Sequence, residues 1–161
     1  MKIKVWEMVI NMRKSVGVVN ELLVETFNDI SQIEQKALKE GILKDISITE
    51  IHTIYAIGMY GHRTMSQVAQ DLRITVGTLT TAINKLVKKG YVDRKRGEED
   101  RRSVMIALTR KGKLAYRIHD KFHSHMVHAT IDGLNEEEEE ILIKSLEKLN
   151  DFFKDKYRLE S

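Results

Sequence analysis

The sequence predicts a mainly α-helical protein that carries a helix-turn-helix and a small β-hairpin wing between long N- and C-terminal helices. Three observations lead there. The 161 residues include no proline, and apolar repeats at helical spacing run through both ends of the chain. Two short helical patterns separated by a brief turn lie in the middle, opening near Ser66 and Thr75. Two strand-like runs around a charged tip follow directly.

Residues 1–12 read as an extension with Trp6, Val9 and Ile10 as packing candidates and no assigned element. From about Met12 to Glu40, Val16, Val19, Leu22, Leu23, Phe27, Ile30, Ile33, Ala37 and Leu38 define a long amphipathic helix ended by Gly41. Thr49 opens a second helix through Ile51, Ile54, Tyr55 and Ile57, with Ser47 or Thr49 as its cap. Thr64 and Met65 are expected as a one-pair strand, followed by a short helix from Ser66 to about Leu72. Arg73 and Ile74 make the turn, and Thr75 caps the next helix, which Gly90 terminates. The wing comprises Tyr91–Arg94 and Val104–Leu108 around residues 95–102. A helix from Thr109 to about Ile131 uses Leu114, Ala115, Ile118, Phe122 and Met126 as its apolar positions. After Gly133, Asn135 caps a last helix from Glu136 to about Phe153. The expected organisation is one domain, with a winged-helix core at about 47–112 and dimerisation helices at about 12–40 and 113–155. The outer helices carry more apolar surface than so small a core can cover, so a homodimer is expected.

The net charge is +3, unevenly spread. Between His62 and Arg117 there are 14 Lys and Arg against 5 Asp and Glu, a local +9, and the rest of the chain carries −6. A basic block between acidic arms suggests a central polyanion-binding module, because phosphate contacts supply most non-specific nucleic-acid affinity. The lack of cysteine excludes disulfides and thiolate metal sites. No apolar run reaches membrane-spanning length and the N-terminus lacks a signal-peptide core, so a cytoplasmic protein is expected, with no membrane partner. No phosphate loop or nucleophile, base and oxyanion arrangement is visible, which argues against an enzyme and calls for no cofactor.

The helix after Thr75 carries the most chemistry. Leu79, Ile83 and Leu86 form one apolar stripe, while Gly77, Thr81, Asn84, Lys85 and Lys88 fall on the opposite face. Small polar groups lead and ammonium groups follow, which suits the DNA major groove. Clustered threonines at 78, 80 and 81 are poor helix formers, each costing a few tenths of a kcal/mol, roughly, which points to a functional reason for them. Their hydroxyls bond phosphates or base edges and their methyls touch thymine. With no arginine at the leading end, contacted operator positions rich in A·T pairs are expected. The DNA-binding candidates are Ser66, Thr75, Val76, Gly77, Thr78, Thr80, Thr81, Asn84, Lys85 and Lys88, with Lys95, Arg96, Asp100, Arg101 and Arg102 from the wing.

The stretch LRITVGTLTTAINKLVKKGYVDRKRGEEDRRSVMIALTRKG resembles the core of the MarR family of winged-helix regulators. The wing signature is D-x-R, five residues, then L-T-x-x-G, here Asp100, Arg102, Leu108, Thr109 and Gly112. In layout the resemblance covers about residues 14–155. Within the family, ITEIHTI, GTLTTAINKL, EEDRRSV and RIHDKFHSHMV are most similar to the FabT group, repressors of bacterial type II fatty-acid synthesis. The resemblance implies a homodimer on double-stranded DNA, with a recognition helix in each major groove and Arg102, braced by Asp100, in each minor groove. It also implies long-chain acyl-acyl carrier protein as corepressor, with Phe27, Ile30, His52, Phe122 and Met126 as candidate ligand-lining residues. Each of these is equally a candidate core or dimer residue.

Two features have plainer explanations. The run Glu136–Glu140 suits the positive end of a helix dipole and an Asn135/Glu138 capping box better than a metal. His119 and His123 are spaced to share a metal, but further ligands are not evident beyond His52, so they are assigned as helix histidines and no metal is assigned. A MarR-type regulator answering to a metal ion or a small phenolic ligand is the alternative reading.

Overall fold

The computed structural model describes residues 2–96 and 104–157. The chain groups into two compact units, Met1–Ile48 and Thr49–Ser161. The first consists of helix α1, Lys2–Glu40, and the turn after it. This helix begins about ten residues before the expected start near Met12. No glycine or proline interrupts residues 2–12, so a helix nucleated downstream propagates through them cheaply. The β-branched Ile3, Val5, Val9 and Ile10 suit a strand as well as a helix, which hid the extension. At the other end the Gly41 amide donates to Ala37 O at 3.1 Å and the helix stops. Val16, Val19, Leu22, Phe27 and Ile33 are exposed along α1.

In the second unit the elements are α2 (Ile48–Ile57), β1 (Arg63–Thr64), α3 (Met65–Asp71), α4 (Val76–Lys88), β2 (Val92–Arg96), β3 (Val104–Leu108), α5 (Arg110–Ile131) and α6 (Glu136–Tyr157). This is the expected winged helix-turn-helix. α2 starts one residue before the predicted Thr49, whose carbonyl accepts a 2.7 Å bond from the Thr53 hydroxyl. The sheet is antiparallel in the order β1-β3-β2.

The start of α3 departs from expectation. Thr64 is a strand residue, opposite Met105, and also the N-cap of α3. Its hydroxyl accepts from the Gln67 amide while the Gln67 side chain accepts from the Thr64 amide, a complete capping box. Met65 is therefore helical, and Ser66 is the second residue of the helix rather than its first. The sequence pattern missed this because threonine suits a strand and a cap equally.

Ile51, Ile54 and Ile57 of α2, Val68 and Ala69 of α3, Leu79, Ile83 and Leu86 of α4, Tyr91, Val92, Ile106 and Ala115 are all essentially inaccessible. Each fully buried aliphatic side chain contributes roughly 1.5–3 kcal/mol. α3 and α4 pack on each other, α4 against β2, and α5 against β3.

The far end of α4 is fastened from two directions. Lys89 is its C-cap, and Gly90 turns the chain with φ +76°. The Lys89 ammonium lies 2.7 and 2.8 Å from the two carboxylate oxygens of Glu50, a buried residue in the first turn of α2. The Lys89 carbonyl accepts from Lys111 Nζ at 3.0 Å, and that ammonium sits 4.0 Å from the centroid of the Tyr91 ring. Thr109, the N-cap of α5, donates its hydroxyl to Gly90 O at 2.7 Å and its amide to Tyr91 O at 3.0 Å.

Candidate nucleic-acid interface

α4 is amphipathic in the sense the sequence predicted. Leu79, Ile83 and Leu86 face the core, while Gly77, Thr78, Thr81, Asn84, Lys85 and Lys88 are exposed. Thr75 caps the helix by accepting from the Thr78 amide at 3.1 Å, and the two hydroxyls are 2.9 Å apart. The leading threonines are not equivalent. Thr80 is half-buried and donates its hydroxyl to Val76 O at 2.7 Å, so it is partly turned back on its own helix. Thr81 is exposed, and its 3.5 Å contact with Gly77 O is too long to hold the hydroxyl firmly. Thr78, Thr81 and Asn84 therefore form the outward polar set, with Lys85 and Lys88 one turn behind.

Between α4 and the hairpin lies a cleft of about 410 Å³ lined by Thr64, Met65, Ser66, Val76, Thr80, Arg94 and Val104. The register explains it. Val92 and Leu108 are opposite each other and buried; Arg94 is opposite Ile106, two residues further along the same face. Arg94 thus lies on the same face of β2 as Val92 but is exposed, and it lines the cleft together with residues from the starts of α3 and α4. Sequence reasoning left Arg94 out of the candidate set. The available signal was the period-two alternation Val92-x-Arg94, which puts a cation on a face that begins apolar. Ser66 is exposed in this cleft, and Lys95 is exposed on the hairpin. Arg96 ends β2. Asp100, Arg101 and Arg102 lie outside the described residues.

The ligand-lining candidates divide between the two units. Phe27 is exposed and Ile30 half-buried on α1. In the second unit Phe122 and Met126 are half-buried on α5, and His52 belongs to an aromatic cluster. The His52 and His119 rings are 5.4 Å apart and those of His119 and His123 4.5 Å, centroid to centroid. Tyr55 stacks on Tyr116 at 4.8 Å and meets the edge of His119 at 5.3 Å. Its phenol is held above the usual tyrosine range, first by burial and then by Tyr116 and Asp120; it donates to Asp120 Oδ1 at 3.4 Å. His119 is only 5 % exposed, so it is a packed residue rather than a solvated one.

At the remaining helices the predicted caps are present. Asn135 Oδ1 accepts from the Glu138 amide and Glu138 Oε2 from the Asn135 amide, each at 3.0 Å. Leu114, Ile118 and Val127 on α5 and Ile141, Leu146 and Phe152 on α6 are exposed apolar positions. Among the described residues no helix is long and apolar enough to cross a membrane.

A helix-turn-helix whose second helix turns a polar and basic face outward beside a cationic hairpin defines a winged-helix protein of the nucleic-acid-binding class. Residues 44–103 match the profile of the MarR family. The structure superposes with a TM-score of 0.79 on Streptococcus pneumoniae FabT, solved in complex with DNA, at 46 % identity over 85 % of this chain and 96 % of that one. The HTH-type transcriptional regulator BilQ of Clostridium symbiosum is 30 % identical over 112 residues, 69 % of this chain and 74 % of that protein. The HTH-type transcriptional regulator PchR of Bacillus subtilis is 25 % identical over 123 residues, 71 % and 73 % of the two chains. The chain belongs to the MarR family. It is a transcriptional regulator of that family and, like these relatives, not an enzyme.

Proposed function

We propose that this protein is a homodimeric repressor that binds a pseudo-palindromic double-stranded DNA operator and controls fatty-acid biosynthesis genes, with long-chain acyl-acyl carrier protein as corepressor. The observation that carries the reading is the outward face of α4, where Thr78, Thr81 and Asn84 precede Lys85 and Lys88 on a helix whose other face is locked in the core. In the major groove the hydroxyls and amide meet base edges while the lysines neutralise flanking phosphates. Arg94, with the hydroxyls of Thr64 and Ser66 beside its cleft, is a seat for a backbone phosphate between the helix and the wing. Arg102, together with Asp100, is assigned the minor-groove contact. The operator is rich in A·T pairs under Thr78–Asn84.

A second copy of the chain covers the exposed apolar positions of the outer helices, so that two α4 helices reach successive major grooves. Acting on a bacterial operator, the protein works in the cytoplasm. The fatty-acid reading rests on the likeness to FabT over most of both chains.

Selection of bound fragments from a random duplex pool tests the DNA reading. A two-fold-related A·T-containing site upstream of fatty-acid genes is the expected result; enrichment of no sequence would reject it. Arg102→Ala should weaken binding to that site roughly tenfold in a gel-shift titration at fixed salt while the dimer stays folded. Unchanged affinity removes Arg102 from the interface. Acyl carrier protein with a long acyl chain should tighten operator binding and the unacylated carrier should not. Equal behaviour of the two forms would reject the corepressor.

The closeness of His119 and His123 on one face of α5 favours a metal-responsive regulator as the second reading. Imidazoles held at about 2.0–2.1 Å by one tetrahedral ion place neighbouring ring centroids near the 4.5 Å separation of this pair. Elemental analysis of the purified protein separates the two readings.

A further inference from the structure

We propose that Glu50 is a positioning residue for DNA recognition: through its ion pair with Lys89 it sets the tilt of α4, although it lies at the end of that helix remote from the leading threonines. The core fixes which face of α4 points outward, because Leu79, Ile83 and Leu86 are inaccessible. At its leading end the helix is capped by its own Thr75 and exposed. At its trailing end the Lys89 side chain is drawn to Glu50 on α2 and the Lys89 carbonyl to Lys111 on α5. That end is the pivot and the threonine face is the long arm.

Thr78 and Lys89 are eleven residues apart, about 16 Å along a helix axis, so a tilt of about 10° at the pivot moves the leading residues by about 3 Å. Hydrogen-bond readout of base edges tolerates only about 0.5 Å, so small freedom at Lys89 is large freedom at Thr78. Phosphate contacts by flexible lysines absorb the same displacement with little loss.

The pair is a costly way to gain stability. Glu50 is 5 % exposed, and a well-packed apolar residue usually serves a buried position at least as well. A carboxylate accepting at 2.7 and 2.8 Å from one ammonium does what packing does not, because it fixes the distance between two chosen points. The ion pair also engages the Lys89 charge, which sets Lys89 apart from Lys85 and Lys88.

The inference rests on α4 being the recognition helix, and it makes a prediction opposite in sign to simple charge arithmetic. Removing a carboxylate from a DNA-binding unit should, by Coulomb attraction alone, tighten binding to every duplex. Loss of positioning instead weakens the operator and spares other sequences. The test measures fluorescence anisotropy at one salt concentration on the selected operator and on a scrambled duplex, for wild type, Glu50→Gln, Glu50→Met and Lys89→Arg. Glu50→Gln and Glu50→Met are expected to lower operator affinity about tenfold, the worth of one good base contact, with affinity for the scrambled duplex unchanged or slightly higher. Lys89→Arg keeps a cation on the carboxylate and should retain the wild-type ratio. The apolar Glu50→Met keeps the site filled, and circular dichroism reports the folded fraction of each variant.

An unchanged operator-to-scrambled ratio in both Glu50 variants overturns the proposal. So does a loss that is equal on the two duplexes, or one that tracks loss of folded protein in both variants. A wild-type protein that prefers no duplex at all sinks the recognition-helix reading and this one with it; any other failure leaves that reading standing.

Discussion

Gly112→Ala will lower the unfolding midpoint of this protein by about 10 °C, equivalent to about 3 kcal/mol at this chain length. In an ordinary helix interior the same change stabilises by roughly 1 kcal/mol, because alanine is the better helix former. Gly112 is in the first turn of α5, and a methyl group there would overlap the Tyr91 carbonyl oxygen. It would also stand 3.1 Å from the Tyr91 carbonyl carbon and 3.2 Å from Leu108 Cβ. Backbone yields far less readily than the end of a side chain. This carbonyl is further held by the Thr109 amide at 3.0 Å and hydroxyl at 3.2 Å. Steric overlap therefore outweighs helix propensity, and the glycine of the L-T-x-x-G pattern is explained by packing rather than by contact with DNA. Thermal unfolding by circular dichroism checks it; an unchanged or raised midpoint would mean that α5 slides away from Tyr91 at no cost.

Lys85→Ala combined with Lys88→Ala should weaken binding to operator and non-operator DNA by a similar factor, of order tenfold to a hundredfold near physiological salt. Both lysines are exposed, and no salt bridge of theirs is seen among the described residues. With two fewer phosphates neutralised by each protomer, four by the dimer, the slope of log K against log salt should become shallower by roughly 3.6. Asn84→Ala, one turn ahead of Lys88 on the same face, should leave that slope alone and narrow the gap between operator and scrambled sequence. A double lysine variant with an unaltered salt slope would place DNA elsewhere on the protein.

The readable parts of this fold were those governed by a single strong pattern. The alternation of core and surface along α4, the caps at Thr75, Thr109 and Asn135, and the hairpin following Gly90 all follow from local chemistry with few competing outcomes. The start of α3 was misplaced because Thr64, correctly expected in a strand, performs a second local task as the helix cap. The start of α1 was misplaced because no signal marks a helix that simply continues. Arg94 and Glu50 escaped for another reason: each draws its role from a partner distant in sequence, the cleft on α3 and α4 in one case and Lys89 in the other. An acidic residue in the first turn of α2 reads as an ordinary dipole partner until the lysine opposite it is known.

The two-residue strand Arg63–Thr64 bears on how this protein can be re-engineered. Because β1 is hydrogen-bonded to β3 and its second residue caps α3, the hairpin is not a detachable appendage. A chimera that imports a foreign wing as residues 91–108 alone would keep its host's Thr64 opposite a mismatched Met105 position. Exchange of wings between relatives therefore has a minimum cassette of two discontinuous pieces, one ahead of the helix-turn-helix and one behind it.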